Sequence, residues 1–324
     1  MNILVTGCAG FIGSHVCRIL LDRGDTVTGV DNLNNAYDVR LKRWRLDGLT
    51  LDAGFRIREE DISNIGSMRA VFQGGPPFDA VVNLGAWAGL RSSVEDPWVH
   101  YEANTIGTLN LLELCRESDV KKFVLASTSS VYGADTPLPF KETSDTSRPQ
   151  SPYGASKKAA ETLTYTYHFL NGLDATILRY FTVYGPAGRP DMSIFRFIRA
   201  ISEGETITIF GDGKQERDFT YVDDIAAGTV AALRPIGYEI INLGNDQPAV
   251  LSDVVGMIES CLGKKARTQY APAHPADVHA TRADIGRAKE LLDWEPKVSL
   301  EEGIRRTAEW YRENREWVKE LEQG

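Results

Sequence analysis

Over its first 180 or so residues the chain alternates between two periods. Short β-branched runs occur at 2–6, 26–31, 55–59, 80–85, 122–127 and 175–181. Stretches with helical spacing lie between them, at 10–23, 61–73, 98–118 and 152–171. The short runs are nearly continuous in apolar residues, so both faces of each strand need a cover. Strands of that kind alternating with helices predict an α/β fold built on a doubly wound parallel sheet. After Gly185 the rhythm changes. The segment GPAGRPDM is rich in glycine and proline and reads as a loop. A helix over about 192–203, a strand at TITIF, a loop at GDGKQERD and a helix from about Val222 follow. IINLG (240–244) reads as another buried strand, and helices are expected near 251–263, near 284–292 and from Ser299. The expected division is a nucleotide-binding domain, 1–183 plus about 219–243, and a smaller C-terminal α/β substrate domain, 184–218 plus about 244–324.

Composition narrows the function classes. Of 324 residues, 42% are hydrophobic and 25% charged, as in soluble globular proteins. A formal charge of −9 argues against nonspecific binding to nucleic acid or an anionic membrane. MNILVTGCAGFIG starts a strand at once, without the basic and apolar regions of a secretory signal. No apolar run reaches the roughly 18 residues of a membrane span. The four cysteines are scattered with no C-x-x-C, which fits reduced thiols and a cytoplasmic location. His274 and His279 stand five apart without an evident third ligand, so no metal site is expected.

Two ends of a site can be read from the residues. Thr6-Gly7-Cys8-Ala9-Gly10-Phe11-Ile12-Gly13 sits between the first strand and the first helix. Its glycines permit a sharp turn and the close approach of a pyrophosphate to the helix N-terminus. Asp31, eighteen residues past Gly13, ends the second strand. A carboxylate there can accept from ribose hydroxyls and would repel a 2′-phosphate, which favours NAD over NADP. Asp61 reads equally well as a contact to the adenine edge or as an N-cap for a helix starting at Ile62. At the other end, the fifth strand runs into Ser127-Thr128-Ser129-Ser130, and Tyr153 and Lys157 stand four apart in the next helix. A strand-end hydroxyl and the phenol can converge on one substrate hydroxyl. The lysine charge, together with a bound nicotinamide cation, favours tyrosinate and brings the phenol towards neutrality as a base.

With those residues in place, the chain resembles an extended short-chain dehydrogenase/reductase with the Rossmann fold, specifically a nucleotide-sugar 4-epimerase. The resemblance runs through TGCAGFIGSH, NLGAWAGLRSS, NTIGTLNLLE, STSSVYG, SPYGASK, RYFTVYGP, FGDGKQERDFTYVDD and RADIGRAKELLDW. It implies Thr128, Tyr153 and Lys157 as catalytic residues, with Asn104 supporting them or the cofactor. For NAD it implies Gly7, Gly10, Phe11, Ile12, Gly13, Asp31, Asn32, Asp61, Ile62, Leu84, Ala86, Asn104, Tyr153, Lys157 and Tyr180. For a UDP-sugar it implies Arg91, Ser129, Ser130, Thr182, Arg189, Phe210, Arg217, Asp277 and Arg282. Where many such epimerases place an arginine near the diphosphate this chain has His274, and Arg282 is the candidate replacement. Related enzymes dimerise through the helices here at 98–118 and 152–171, so a homodimer is expected, with Leu109, Leu112, Leu163 and Phe169 at that interface or in the chain's own core.

The reaction is read from what flanks Thr128. Related dehydratases and decarboxylases carry carboxylates beside this threonine, where this chain has Ser129 and Ser130. Reversible oxidation at C4 is the simplest chemistry left. The segment FTVYGPAGRPDM is similar to that of epimerases acting on UDP-glucuronate and UDP-galacturonate, and Thr182, Ser129, Ser130 and Arg189 can receive a C6 carboxylate. The same groups are expected to keep that carboxylate out of the alignment in which a 4-keto uronate loses CO2. The alternatives are a UDP-glucose/UDP-galactose 4-epimerase, which would prefer neutral sugars, a UDP-glucuronate decarboxylase or nucleotide-sugar dehydratase, which would want the acid missing beside Thr128, and a noncatalytic NAD-binding sensor, which would have little use for both Tyr153 and Lys157.

Overall fold

The computed structural model describes residues 1–273 and 277–322. Its first half contains β1 (Asn2–Thr6), α1 (Phe11–Asp22), β2 (Thr26–Val30), α2 (Val39–Thr50), β3 (Phe55–Arg58), α3 (Ile65–Gln73) and β4 (Ala80–Asn83). There follow α4 (Leu90–Glu95), α5 (Pro97–Tyr101), α6 (Gly107–Glu117), β5 (Lys122–Thr128), α7 (Pro152–Asn171) and β6 (Asp174–Tyr180). The second half contains β7 (Thr182–Tyr184), α8 (Ser193–Glu203), β8 (Thr206–Phe210), β9 (Glu216–Arg217), β10 (Phe219–Tyr221), α9 (Val222–Ala231) and β11 (Tyr238–Leu243). It ends with β12 (Ala249–Val250), α10 (Leu251–Leu262), β13 (Arg267–Ala271), α11 (Gly286–Leu292), α12 (Leu300–Glu313) and α13 (Arg315–Val318).

Seven strands form one parallel sheet in the order β3-β2-β1-β4-β5-β6-β11. The chain winds outward in both directions from β1 and β4, so a crevice opens past their carboxyl ends. Strand period explains the two layers. Ile3 and Val5 of β1 join the cluster that holds Val16 and Leu20 of α1 and Ile225 of α9. Leu4, between them, points to the opposite face with Met68 of α3 and Leu111 of α6. A third apolar cluster packs α8, α10 and α12 around Ile207 and Ile209 of β8, which pairs with β13, and forms the smaller C-terminal α/β body. No helix among the described residues is long and apolar enough to cross a membrane.

Three segments differ from the sequence reading. The stretch 98–118 is helical as expected but not uniformly α: a π-helical turn over 102–106 lies between α5 and α6. The buried Asn104 lies within that turn. The helix expected from residue 61 starts at Ile65, because Asn64 caps it by accepting from the Gly66 and Ser67 amides. Asp61 is therefore not its cap. Helix α2 was not expected at all. Its buried face is Leu41, Lys42, Arg45, Leu46 and Leu49, and two cations among five inward positions hide the apolar period.

Helix α7 places the site. Ser151 caps it by accepting from the Gly154 amide at 3.1 Å, Pro152 occupies its first turn, and Gly172 ends it at φ 68°. One turn beyond Lys157, Glu161 accepts from Arg179 of β6 at 2.9 and 2.8 Å and from Ser127 of β5 at 2.6 Å. Both members of the ion pair are fully buried. The guanidinium holds the Glu161 carboxyl below the usual range against the opposing effect of burial, and Arg179 is raised in turn. Removing one partner of such a pair strands the other charge. Glu161→Ala is expected to destabilise the protein by about 3–5 kcal/mol in urea unfolding. A loss below about 1 kcal/mol would show that the pair is not fastening α7 to the sheet.

Candidate active site

The crevice beyond the carboxyl ends of β1, β2, β4, β5 and β6 is one continuous cleft. Gly7, Gly10, Phe11, Ile12, Gly13, Asp31, Asn32, Asp61, Ile62, Leu84, Ala86, Thr128, Tyr153, Lys157, Tyr180 and Arg189 all line it. At its nucleotide end, the Gly7 amide donates to the Val30 carbonyl at 2.7 Å and the chain turns at φ 69°. A Cβ on Gly13 would lie 2.0 Å from the Gly7 carbonyl oxygen, so only glycine lets α1 start this close to the loop. No side chain caps α1, which leaves its first amides free for an anion. Asp31 is buried and accepts from the Ala9 amide at 3.1 Å and the Leu33 amide at 2.9 Å. Asn32 donates to Asp61 at 2.7 Å, and Asp61 also accepts from the Ser63 amide and hydroxyl, which hold its carboxyl below the usual range against burial. The uncapped amides, the glycine cradle and the two carboxylates, Asp31 and Asp61, fit a dinucleotide.

At the other end of the cleft, β5 finishes at Thr128 in extended backbone, and its hydroxyl accepts from the Ser130 amide at 3.1 Å. Ser129 and Ser130 turn away from it in a short 3-10 helix. Tyr153 and Lys157 share the face of α7 that meets this strand end. A Cβ on Gly154 would come within 2.4 Å of the Ser130 carbonyl oxygen, so this glycine permits the close approach. Lys157 Nζ donates to the Ala126 carbonyl at 2.9 Å. Burial pushes Lys157 down to about 8, against the pull of Glu161. The sequence expectation for Tyr153 concerns the phenol beside a bound nicotinamide cation. Burial raises Tyr153, and the groups that pull it back are the Thr128 hydroxyl and Arg189 rather than Lys157.

Several expected residues sit elsewhere. Asn104 does not reach the cleft: it is fully buried, donates to the Trp87 carbonyl and Ser156 hydroxyl at 2.9 Å each, and accepts from the Trp87 amide at 2.8 Å. It braces α7 between Tyr153 and Lys157. In the C-terminal part, Arg91 lies over the Phe210 ring at 3.8 Å and pairs with Asp277 at 2.7 Å. Arg217 belongs to the same group, since Asp277 and Arg91 are the charges acting on it. Arg282 does not join them: its Nε donates to Asp246 at 2.9 Å. Thr182 opens β7 beside Arg189 and Met192. Arg189 donates to Asp191 at 3.0 and 2.7 Å and to the Ala88 carbonyl at 3.1 Å. His274 lies outside the described residues. Among the described residues, no group of three or more His, Cys, Asp and Glu is placed to hold a metal ion.

Lining residues of α2, notably Lys42, were not singled out from sequence. Their signal was obscured for the same reason as the helix. His100 of α5 was also missed. It is fully buried, its ring meets that of Tyr153 at 6.0 Å and 69°, and neither ring nitrogen has a partner. Burial lowers it, so it packs there as a neutral ring.

Residues 3–244 match the model of the NAD dependent epimerase/dehydratase family. The chain belongs to that family. A relative described as UDP-glucuronate 4-epimerase, from Thermodesulfobacterium geofontis, is 54% identical over 319 residues, covering 98% of each chain. A crystal structure of UDP-glucuronic acid 4-epimerase from Bacillus cereus, in complex with UDP-glucuronic acid and NAD, superposes with a TM-score of 0.91 at 39% identity. That match covers 97% of this chain and 100% of the other. A UDP-glucose 4-epimerase from Thermotoga maritima gives a TM-score of 0.87 at 34% identity, covering 97% and 99%. As an epimerase/dehydratase family member, the protein is expected to depend on its glycine cradle. Gly13→Ala should lower the nucleotide released on denaturing the purified protein by at least about tenfold while leaving its circular dichroism unchanged. Wild-type nucleotide content in that variant would show that α1 can back away from Gly7 at little cost.

Proposed function

We propose that this protein interconverts UDP-glucuronate and UDP-galacturonate by reversible oxidation at C4, with NAD as its retained cofactor. The observation that carries the reading is the placement of Thr128, Tyr153 and Lys157 at one end of the cleft whose other end is the uncapped glycine loop. Relatives at 54% and 39% identity described as UDP-glucuronate 4-epimerases support the choice of sugar. The serines that follow Thr128 offer no carboxylate for eliminating water.

When bound, NAD supplies a reversible hydride acceptor. Gly7, Gly10, Phe11, Ile12 and Gly13 would hold its pyrophosphate, Asp31 its adenosine ribose, and Lys157 its nicotinamide ribose. Tyr153, as tyrosinate, accepts the C4 hydroxyl proton, and Thr128 donates to the same oxygen. The Thr128 hydroxyl and the Arg189 charge both favour the ionised phenol. The flat 4-keto sugar turns over between two presentations, and Tyr153 returns the proton to the oxygen of the opposite configuration. Arg189, Thr182, Ser129 and Ser130 are assigned to the C6 carboxylate, and Arg91, Phe210, Arg217 and Asp277 to the nucleotide.

The same reading carries the rest of the assignment. Residues 1–183 with about 219–243 form the NAD domain, and 184–218 with about 244–324 the nucleotide-sugar domain. The location is cytoplasmic. The active form is a homodimer, because Trp98, Tyr101 and Ile106 beside α6, and Tyr165, Phe169 and Leu170 on α7, are exposed. Leu112 takes no part, being fully buried within the chain.

Purified protein incubated with UDP-glucuronate and no added NAD should yield UDP-galacturonate by proton NMR. Conversion of UDP-glucose alone would replace this reading with the neutral-sugar one. Tyr153→Phe should lower turnover by about 10²–10⁴ with bound nucleotide unchanged; activity within about threefold of wild type would remove the phenol from its role. Arg189→Ala should raise the share of UDP-pentose among the products, and an unchanged product ratio would count against its hold on the carboxylate.

A further inference from the structure

Helix α2 carries Arg45 into a buried position between two loops that approach the site from different parts of the chain. Nη1 donates to the Ala9 carbonyl at 3.0 Å and to the Tyr37 hydroxyl at 2.6 Å. Nε and Nη2 both donate to the Ala187 carbonyl, at 3.1 and 2.6 Å. Ala9 lies inside the glycine loop. Ala187, at φ 51°, lies in the loop that carries Arg189. The guanidinium sits 5.9 Å from the Phe11 ring centroid and 5.4 Å from that of Tyr37, and the Arg189 guanidinium is 5.9 Å from that same tyrosine ring.

Burying a cation against neutral acceptors has a desolvation cost, and no carboxylate among the described residues forms an ion pair with Arg45 to offset it. What the fork achieves is geometric. Its planar donors reach two loops at once, which a lysine ammonium on a single stem does not reproduce. Packing points the same way: Leu46 and Leu49 of α2 belong to the cluster with α1, whereas Leu41 and Tyr37 belong to the C-terminal cluster. The helix therefore spans both bodies, and Arg45 sits at the joint.

We propose that Arg45 is a positioning residue that ties the glycine loop to the loop 185–192, so that a dinucleotide held by the first and a UDP-sugar held by the second strengthen each other's binding. This rests on the preceding reading only in that a UDP-sugar fills the cleft. Its signature is reciprocal coupling between two ligands, which a purely structural role would leave intact while weakening both.

The test follows the exchange of bound NAD for isotope-labelled NAD by mass spectrometry, with and without UDP-sugar. In the wild type, saturating UDP-glucuronate should slow exchange by at least about fivefold. In Arg45→Met the slowing should fall to within about twofold. Arg45→Lys should also lose most of it, and this variant decides the matter if Arg45→Met does not fold. Arg69→Ala, on the exposed face of α3, should retain the wild-type ratio. Faster exchange in Arg45→Lys with the wild-type slowing ratio preserved would overturn the proposal, as would a wild type that shows no slowing. UDP-glucose is run in parallel. Slowing by UDP-glucose alone, lost in Arg45→Lys, would support the tie while contradicting the uronate reading.

Discussion

Glu161 and Arg179 meet in a buried, bidentate ion pair where α7, β5 and β6 converge, and the placement of Tyr153, Lys157 and Thr128 is referenced to that point. Glu161 lies one turn past Lys157 and two past Tyr153. It also accepts from Ser127, the residue before Thr128. A single carboxylate therefore sets the helix bearing Tyr153 and Lys157 against the strand that ends at Thr128. Tyr132 adds its hydroxyl to the Arg179 guanidinium at 3.0 Å and donates to Asn242 of β11, so the anchoring extends to the edge of the sheet. A pair of this kind contributes through what it positions rather than through net stability, because desolvating two charges offsets most of their attraction.

Charge along the cleft is arranged in opposite senses at its two ends. Near the glycine loop, Asp31 accepts from the Ala9 and Leu33 amides, and the Ser63 amide and hydroxyl hold the Asp61 carboxyl below the usual range. Near Thr128 the protein withholds solvation from both members of the pair on α7, raising Tyr153 and lowering Lys157. Burial thus works against the charged form of each, and small changes of nearby charge decide their protonation. The Thr128 hydroxyl and Arg189 are the protein's own contributions in the direction of tyrosinate.

Sequence legibility followed the physics of each segment. Helix α7 was read with its observed bounds because Ser151, Pro152 and Gly172 are start and stop signals carried by single residues. The glycine loop was legible because close approach and positive φ restrict a position to one residue type. The sheet followed from continuous apolar runs. Helix α2 was not legible because Lys42 and Arg45 face inward, and a hydrophobic period does not register buried cations. The π-helical turn before α6 was hidden because one extra residue per turn leaves composition unchanged; of the two roles open to Asn104, support of the helix bearing Tyr153 and Lys157 is the one its hydrogen bonds fit. Arg282 shows the limit of matching residue types: its partner, Asp246, lies far off in sequence and only the fold brings the two together.

The central claim is that configuration changes at C4, by oxidation and return of the same hydrogen, at a site organised by Tyr153 and Thr128. The most direct measurement uses UDP-glucuronate carrying deuterium at C4, converted in ordinary water and analysed by NMR and mass spectrometry. The account predicts UDP-galacturonate with the deuterium retained at C4 and no solvent hydrogen introduced at C5. Loss of the C4 label to water, or solvent hydrogen appearing at C5, would contradict it.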